Sequence, residues 1–67
     1  MKYLVRNCKV EFSGSKKEII DYILSAYEDD YFVQSYNKQL YHDNSILEKV
    51  LDGLCLQIWD KAPKFRS

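Results

Sequence analysis

The sequence predicts an α+β fold, in which helices pack on one face of a small sheet within a single domain, residues 1–67. Three observations predict it: a β-rich, partly alternating start, two later stretches with apolar residues at three- and four-residue steps, and an aromatic segment between them. With 67 residues, 46% of them hydrophobic, the chain can build one small core but not two. The expected order is β-α-β-β-α, and β-α-β-β-α-β is the alternative.

The first element is expected to be one strand from Lys2 to Phe12. Alternate residues would share its inner face, which Arg6 interrupts: Leu4, Cys8, Val10 and Phe12. Ser13 and Gly14 would form the turn that follows the strand. At an edge of so small a sheet, this strand would be free to pair with a second copy of the chain.

The first helix is expected from Ser15 to about Glu28. Ser15 and Glu18 have the spacing of a capping box, in which each side chain accepts a hydrogen bond from the other residue's backbone N–H. The apolar residues that follow cover one broad face: Ile19, Ile20, Ile23, Leu24, Ala26 and Tyr27.

A β-hairpin is expected next, because residues 31–36 and 39–42 are rich in aromatic residues and Asn37-Lys38 can form a tight turn. Its alternation places three aromatic rings on one side, Phe32, Tyr36 and Tyr41, with Val33 and Leu40 on the other. If Val33 and Leu40 face the core, the three rings are exposed. The opposite register, with Phe32 and Tyr36 in the core, stays open.

The second helix is expected to begin at the capping residues 43–45 and to continue to about Asp60. Its apolar stripe keeps helical spacing across Gly53: Ile46, Leu47, Val50, Leu51, Leu54 and Ile58. The alternative is a helix that ends at Gly53, with a short strand over residues 54–59. Trp59 is expected in the core, and residues 61–67 are expected to form a frayed basic tail.

The composition argues against catalysis and against a bound cofactor or metal. A deep pocket would consume much of so small a core. Cys8, His42 and Asp43 could supply a nucleophile, a base and an orienting carboxylate, but no glycine-rich loop or oxyanion-hole motif accompanies them. Cys8 and Cys55 are expected to be small buried hydrophobic residues, and a disulfide or a reactive thiol is the alternative. No apolar run approaches the ~18 residues that cross a membrane, so a soluble, cytoplasmic protein is expected.

Charge is distributed unevenly along a chain whose formal net charge is zero. Residues 1–17 carry five bases against one acid, whereas residues 18–30 carry five acids and no base. At 100° per residue four of these acids share one helix face, and Asp30 follows them: Glu18, Asp21, Glu28 and Asp29. Lysines at the start of the helix and acids at its end both oppose the helix dipole. Such a stripe is either an ordinary solvated face or a docking surface for a basic partner.

We therefore expect a small non-catalytic regulator or inhibitor that binds another protein with a basic surface. The acidic helix face would present carboxylates where a nucleic acid presents phosphates, and the hairpin aromatics would supply apolar contact. The candidate partner-binding residues are Glu18, Asp21, Glu28, Asp29, Asp30, Phe32, Tyr36 and Tyr41. The richness in Lys, Ile, Tyr, Asp and Asn is compatible with an accessory protein of an AT-rich bacterial or phage genome.

Two alternatives belong to other functional classes. A module that binds single-stranded nucleic acid would stack bases on Phe32, Tyr36 and Tyr41. Only Lys38 lies on the expected hairpin, however, and phosphate neutralisation needs several bases, which favours a protein partner. The other alternative is a homodimer that pairs through the edge strand of residues 2–12.

Overall fold

A computed structural model describes residues 1–64 and confirms the α+β class. Three helices accompany a three-stranded antiparallel sheet of order β2-β1-β3. In chain order the elements are β1 (Lys2–Arg6), β2 (Lys9–Gly14), α1 (Lys16–Ala26), α2 (Tyr31–Tyr36), α3 (Asn44–Gly53) and β3 (Gln57–Trp59). The end of the expected basic tail, residues 65–67, lies outside the described residues.

The prediction of one strand over residues 2–12 is wrong, because the chain turns back at Asn7 and Cys8. Their φ angles are 52° and 60°, as in a two-residue type I′ turn. Arg6 therefore pairs with Lys9, and β1 and β2 form a hairpin. β1 becomes the central strand, so the sheet edges are β2 and β3 rather than residues 2–6.

The expected start of α1 is confirmed. The Ser15 hydroxyl accepts a hydrogen bond from the Glu18 N–H at 3.2 Å, and the Glu18 carboxylate accepts one from the Ser15 N–H at 3.0 Å. These two bonds satisfy backbone donors that the first helical turn cannot pair internally. The helix buries three isoleucines of its apolar face, Ile19, Ile20 and Ile23. It ends at Ala26, before the expected end at about Glu28, so Glu28 and Asp29 lie in the turn that follows.

The hairpin predicted for residues 31–42 is wrong: α2 and a series of turns occupy this segment. The Asp30 carboxylate starts α2 by accepting hydrogen bonds from the N–H groups of Phe32 and Val33 at 2.9 and 3.2 Å. Val33 and Leu40 are both in the core, but Val33 is on α2 and Leu40 is in the turns that follow it, rather than on two paired strands. Packing and the cap override the β propensity of the aromatic residues here.

The preferred prediction of a continuous second helix is also wrong, and the alternative with a final short strand is correct. α3 ends at Gly53 with two bonds of a Schellman motif: the Leu56 N–H reaches the Leu51 carbonyl at 2.8 Å, and the Cys55 N–H reaches the Asp52 carbonyl at 3.1 Å. Leu56 would lie on the outer face of a continuous helix. In the structure it is 4% exposed and belongs to the core.

The helices cover one face of the sheet. Leu4 in β1 packs with the buried residues of all three helices, and its partners Phe12 and Ile58 contact the same core. Val5 is buried on the opposite face. Trp59 remains 37% exposed, contrary to its expected place in the core. None of the helices within residues 1–64 has the length and apolar character needed to cross a membrane.

Candidate functional site

The fold joins the acidic face of α1 to the segment that follows α2. The Tyr41 hydroxyl donates a hydrogen bond to the Asp21 carboxylate, and this bond raises the pKa of Tyr41 above its usual value. The Tyr41 side chain is 37% exposed, so an apolar ring and a carboxylate are presented together. Of the three aromatic candidates, Tyr41 is the one that meets an acidic candidate in this way.

A shallow groove of about 540 Å³ lies beside this pair, and we call it the α1–α2 groove. The Gln34 side-chain amide bridges its walls by donating to the Glu28 carbonyl at 3.0 Å. The Glu28 side chain is exposed, as is that of Asp29 next to it. The groove is lined by Leu24, Glu28, Val33, Gln34, Asn37, Lys38, Tyr41 and His42.

Two of the five acidic candidates have local structural roles. Glu18 belongs to the capping box, and its hydrogen bonds with the Ser15 backbone N–H and then the Ser15 side chain lower the pKa of its carboxyl. Asp30 is the N-cap of α2, where a negative charge favours that helix rather than opposing a dipole. The acidic candidates without a capping role are Asp21 on α1 and, in the turn after α1, Glu28 and Asp29.

The three aromatic candidates do not form the common surface that a hairpin would give. Phe32 lies on the flank of α2 that faces α3, where a Cβ at Gly53 would be 3.2 Å from its ring. Tyr36 is half-buried against the core. Phe32 lies against Gly53 of α3 and Tyr41 is bonded to Asp21 of α1, so the hairpin surface on which the nucleic-acid hypothesis would stack bases is not formed.

A second groove on the other side of Tyr41 was not predicted. It has a volume of about 530 Å³ and is lined by Lys16, Lys17, Ile20, Tyr41 and His42. Tyr41 therefore separates a wall that carries Glu28 from a wall that carries two lysines. The sequence held no signal for this arrangement, because the turns of residues 37–42 bring His42 next to the start of α1.

The cysteine and the histidine considered for catalysis lie apart. Cys8 lines a cleft with Cys55, Gln57 and Trp59 at one end of the sheet. His42 instead lines the two grooves beside Tyr41. Within residues 1–64, no three side chains of His, Cys, Asp or Glu come together as metal ligands.

No protein-family model matches this chain, and neither a curated protein nor a solved structure is significantly similar to it. The functional proposal therefore depends on the geometry of the site.

Proposed function

We propose that this chain is a small non-catalytic regulator or inhibitor that binds another protein with a basic surface. The observation that carries the proposal is the hydrogen bond from Tyr41 to Asp21, which joins the acidic stripe to an exposed aromatic ring. We call the surface formed by Asp21, Glu28, Asp29 and Tyr41 the acidic face.

The acidic face combines two kinds of contact that protein interfaces use. Tyrosine buries a large area on binding at a small entropic cost, so Tyr41 suits the centre of the interface. The carboxylates of Glu28 and Asp29 are exposed, and charges of this kind select a partner of opposite sign and speed its approach. A partner that binds a phosphate backbone would present such a basic surface, and the acidic face would occupy it.

The lysines on the other side of Tyr41 would determine the orientation in which a partner binds. Lys16 and Lys17 line the groove on one side of Tyr41, whereas the groove on the other side carries one acid, Glu28, with Lys38. A partner with basic residues opposite Glu28 and an acidic rim opposite the lysines would be bound in one orientation.

The proposal places the protein in the cytoplasm. Cys8 and Cys55 are free thiols, which suits a compartment that keeps cysteines reduced.

A capture experiment with matched charge reversals tests the proposal. The tagged protein is used to capture partners from the source cell after nuclease treatment, together with the double variant Glu28→Lys/Asp29→Lys. The control is Glu48→Lys/Asp52→Lys, which reverses two exposed acids on α3. We expect a stoichiometric protein that the control retains and that the acidic-face variant loses.

Two outcomes would contradict the proposal. Equal capture by both double variants would mean that the partner binds elsewhere on the molecule. Loss of the partner on nuclease treatment, with recovery of nucleic acid from the untreated sample, would favour a nucleic-acid-binding module instead.

A further inference from the structure

The two cysteines of the chain come together at one end of the sheet. Cys8 is in the β1–β2 turn and Cys55 is in the turn between α3 and β3. β1 and β3 are antiparallel with Val5 opposite Gln57, so the turn after β1 lies beside the turn before β3. The prediction that both cysteines are buried is wrong, because both are exposed in turns, and both line one cleft of about 250 Å³ at this end.

Each of these cysteines also adopts a backbone conformation that favours glycine. The φ angle is 60° at Cys8 and 59° at Cys55. Glycine is the preferred second residue of a type I′ turn and the preferred residue at the end of a Schellman motif. Two strained positions that face one cleft and carry the same reactive side chain indicate a functional pair rather than two unrelated surface residues.

Arg6 gives a second sign that the two turns are close. The pKa of the Arg6 guanidinium is raised chiefly by the Tyr27 hydroxyl, and Cys55 is among the smaller contributors. The end of β1, two residues before Cys8, is therefore within electrostatic range of Cys55.

We propose that Cys8 and Cys55 form a reversible disulfide in the folded protein, with a low-molecular-weight disulfide such as oxidised glutathione as the oxidant. One cysteine thiolate attacks a sulfur of glutathione disulfide and releases one glutathione thiolate. The other cysteine thiolate then attacks the protein sulfur of this mixed disulfide and releases the second glutathione. Two protein thiols lose two protons and two electrons, and one glutathione disulfide becomes two glutathione molecules.

The bond would join the tip of the β1–β2 hairpin to the end of α3. The residues that line its cleft are not those of the acidic face, so the proposal does not depend on the proposed function. Exposed thiols in adjacent turns can react without unfolding of the core.

Equilibration in glutathione redox buffers tests the proposal. The fraction of protein lighter by two hydrogens is measured by mass spectrometry, once under native conditions and once in urea. From the two titrations one obtains the effective concentration of one thiol towards the other in the folded and in the unfolded chain. We expect the folded value to exceed the unfolded value by at least about tenfold.

Single variants provide the control. Cys8→Ser and Cys55→Ser should each accumulate a mixed disulfide with glutathione, because the second thiol that would displace it is missing. The proposal would be overturned by an effective concentration that is equal or lower in the folded protein. It would equally be overturned by wild-type protein that carries two glutathione adducts, or forms intermolecular dimers, without the internal bond.

Discussion

At the residue scale, Cys8 and Cys55 carry left-handed backbone strain that a glycine would relieve. Because a β-carbon in this conformation costs roughly 1 kcal/mol, Cys8→Gly and Cys55→Gly should each raise the free energy of unfolding by up to about 1 kcal/mol under reducing conditions. The measurement is urea denaturation, with Cys8→Ser and Cys55→Ser as controls that keep the β-carbon. A glycine variant less stable than its serine control would contradict the account of these turns.

The Glu18 carboxylate makes stability depend on pH. Hydrogen bonds with Ser15 lower its pKa in the folded protein from an ordinary value of 4.5. Because this pKa is lower in the folded than in the unfolded protein, the ionised carboxylate stabilises the fold at pH values above the pKa of the unfolded chain. That stabilisation is lost as the pH falls through the pKa of the folded protein. Wild-type protein should therefore lose stability below pH 4.5 more steeply than Glu18→Gln, whose amide can still cap the helix without titrating.

Urea unfolding of both proteins at neutral and at acidic pH measures this difference. Parallel stability profiles through the acid range would mean that the Glu18 bond to the Ser15 N–H is not formed in solution.

At the element scale, α2 depends on its cap. It has six residues, too few for a helix that is stable in isolation, so the Asp30 cap and the buried Val33 must hold it. Asp30→Ala should lower the free energy of unfolding by about 1 kcal/mol, whereas Asp30→Asn, which caps equally well, should cost much less. Chemical denaturation measures both, and an asparagine variant as unstable as the alanine variant would refute the capping role.

The elements differ in how far the sequence predicts them. α1 is predictable because the capping box and the isoleucine spacing are local signals that agree with the final packing. The helix and turns of residues 31–42 are not predictable, because Asp30 resembles the other surface acids around it and the aromatic residues favour strands. The turn at Asn7-Cys8 is not predicted, because cysteine in a left-handed conformation gives no turn signal. The end of α3 is predicted only as the alternative, because Gly53 gives a signal but Cys55, which holds the left-handed position, does not.

At the scale of the whole molecule, Leu40 fixes the turns that carry Tyr41. It is fully buried, and truncation of such a leucine costs about 2–5 kcal/mol, a large part of the stability that a domain of this size possesses. Leu40→Ala should therefore lower the thermal midpoint markedly, while Leu24→Ala, at a half-buried position, should lower it less. Calorimetry measures both, and equal midpoints would contradict the placement of Leu40 in the core.

The candidate site was predictable only in part. Helical periodicity places Asp21 on an exposed face of α1, but Glu28 and Asp29 lie in the turn after the helix, so the stripe expected on one helix face is not formed as such. The contact between Tyr41 and Asp21 depends on how residues 37–42 turn back towards α1, which no local pattern encodes. The sequence likewise gives no signal for the position of Phe32, which follows from the packing of α2 against Gly53.

The most direct measurement of the central claim is the affinity of the captured partner for wild-type protein and for the two double charge reversals, by titration calorimetry. Reversal of Glu28 and Asp29 places like charges opposite a basic surface, so we predict at least about a tenfold loss of affinity, with no loss for Glu48→Lys/Asp52→Lys. Unchanged affinity in the acidic-face variant, or an equal loss in both variants, would contradict the claim that the acidic face binds the partner.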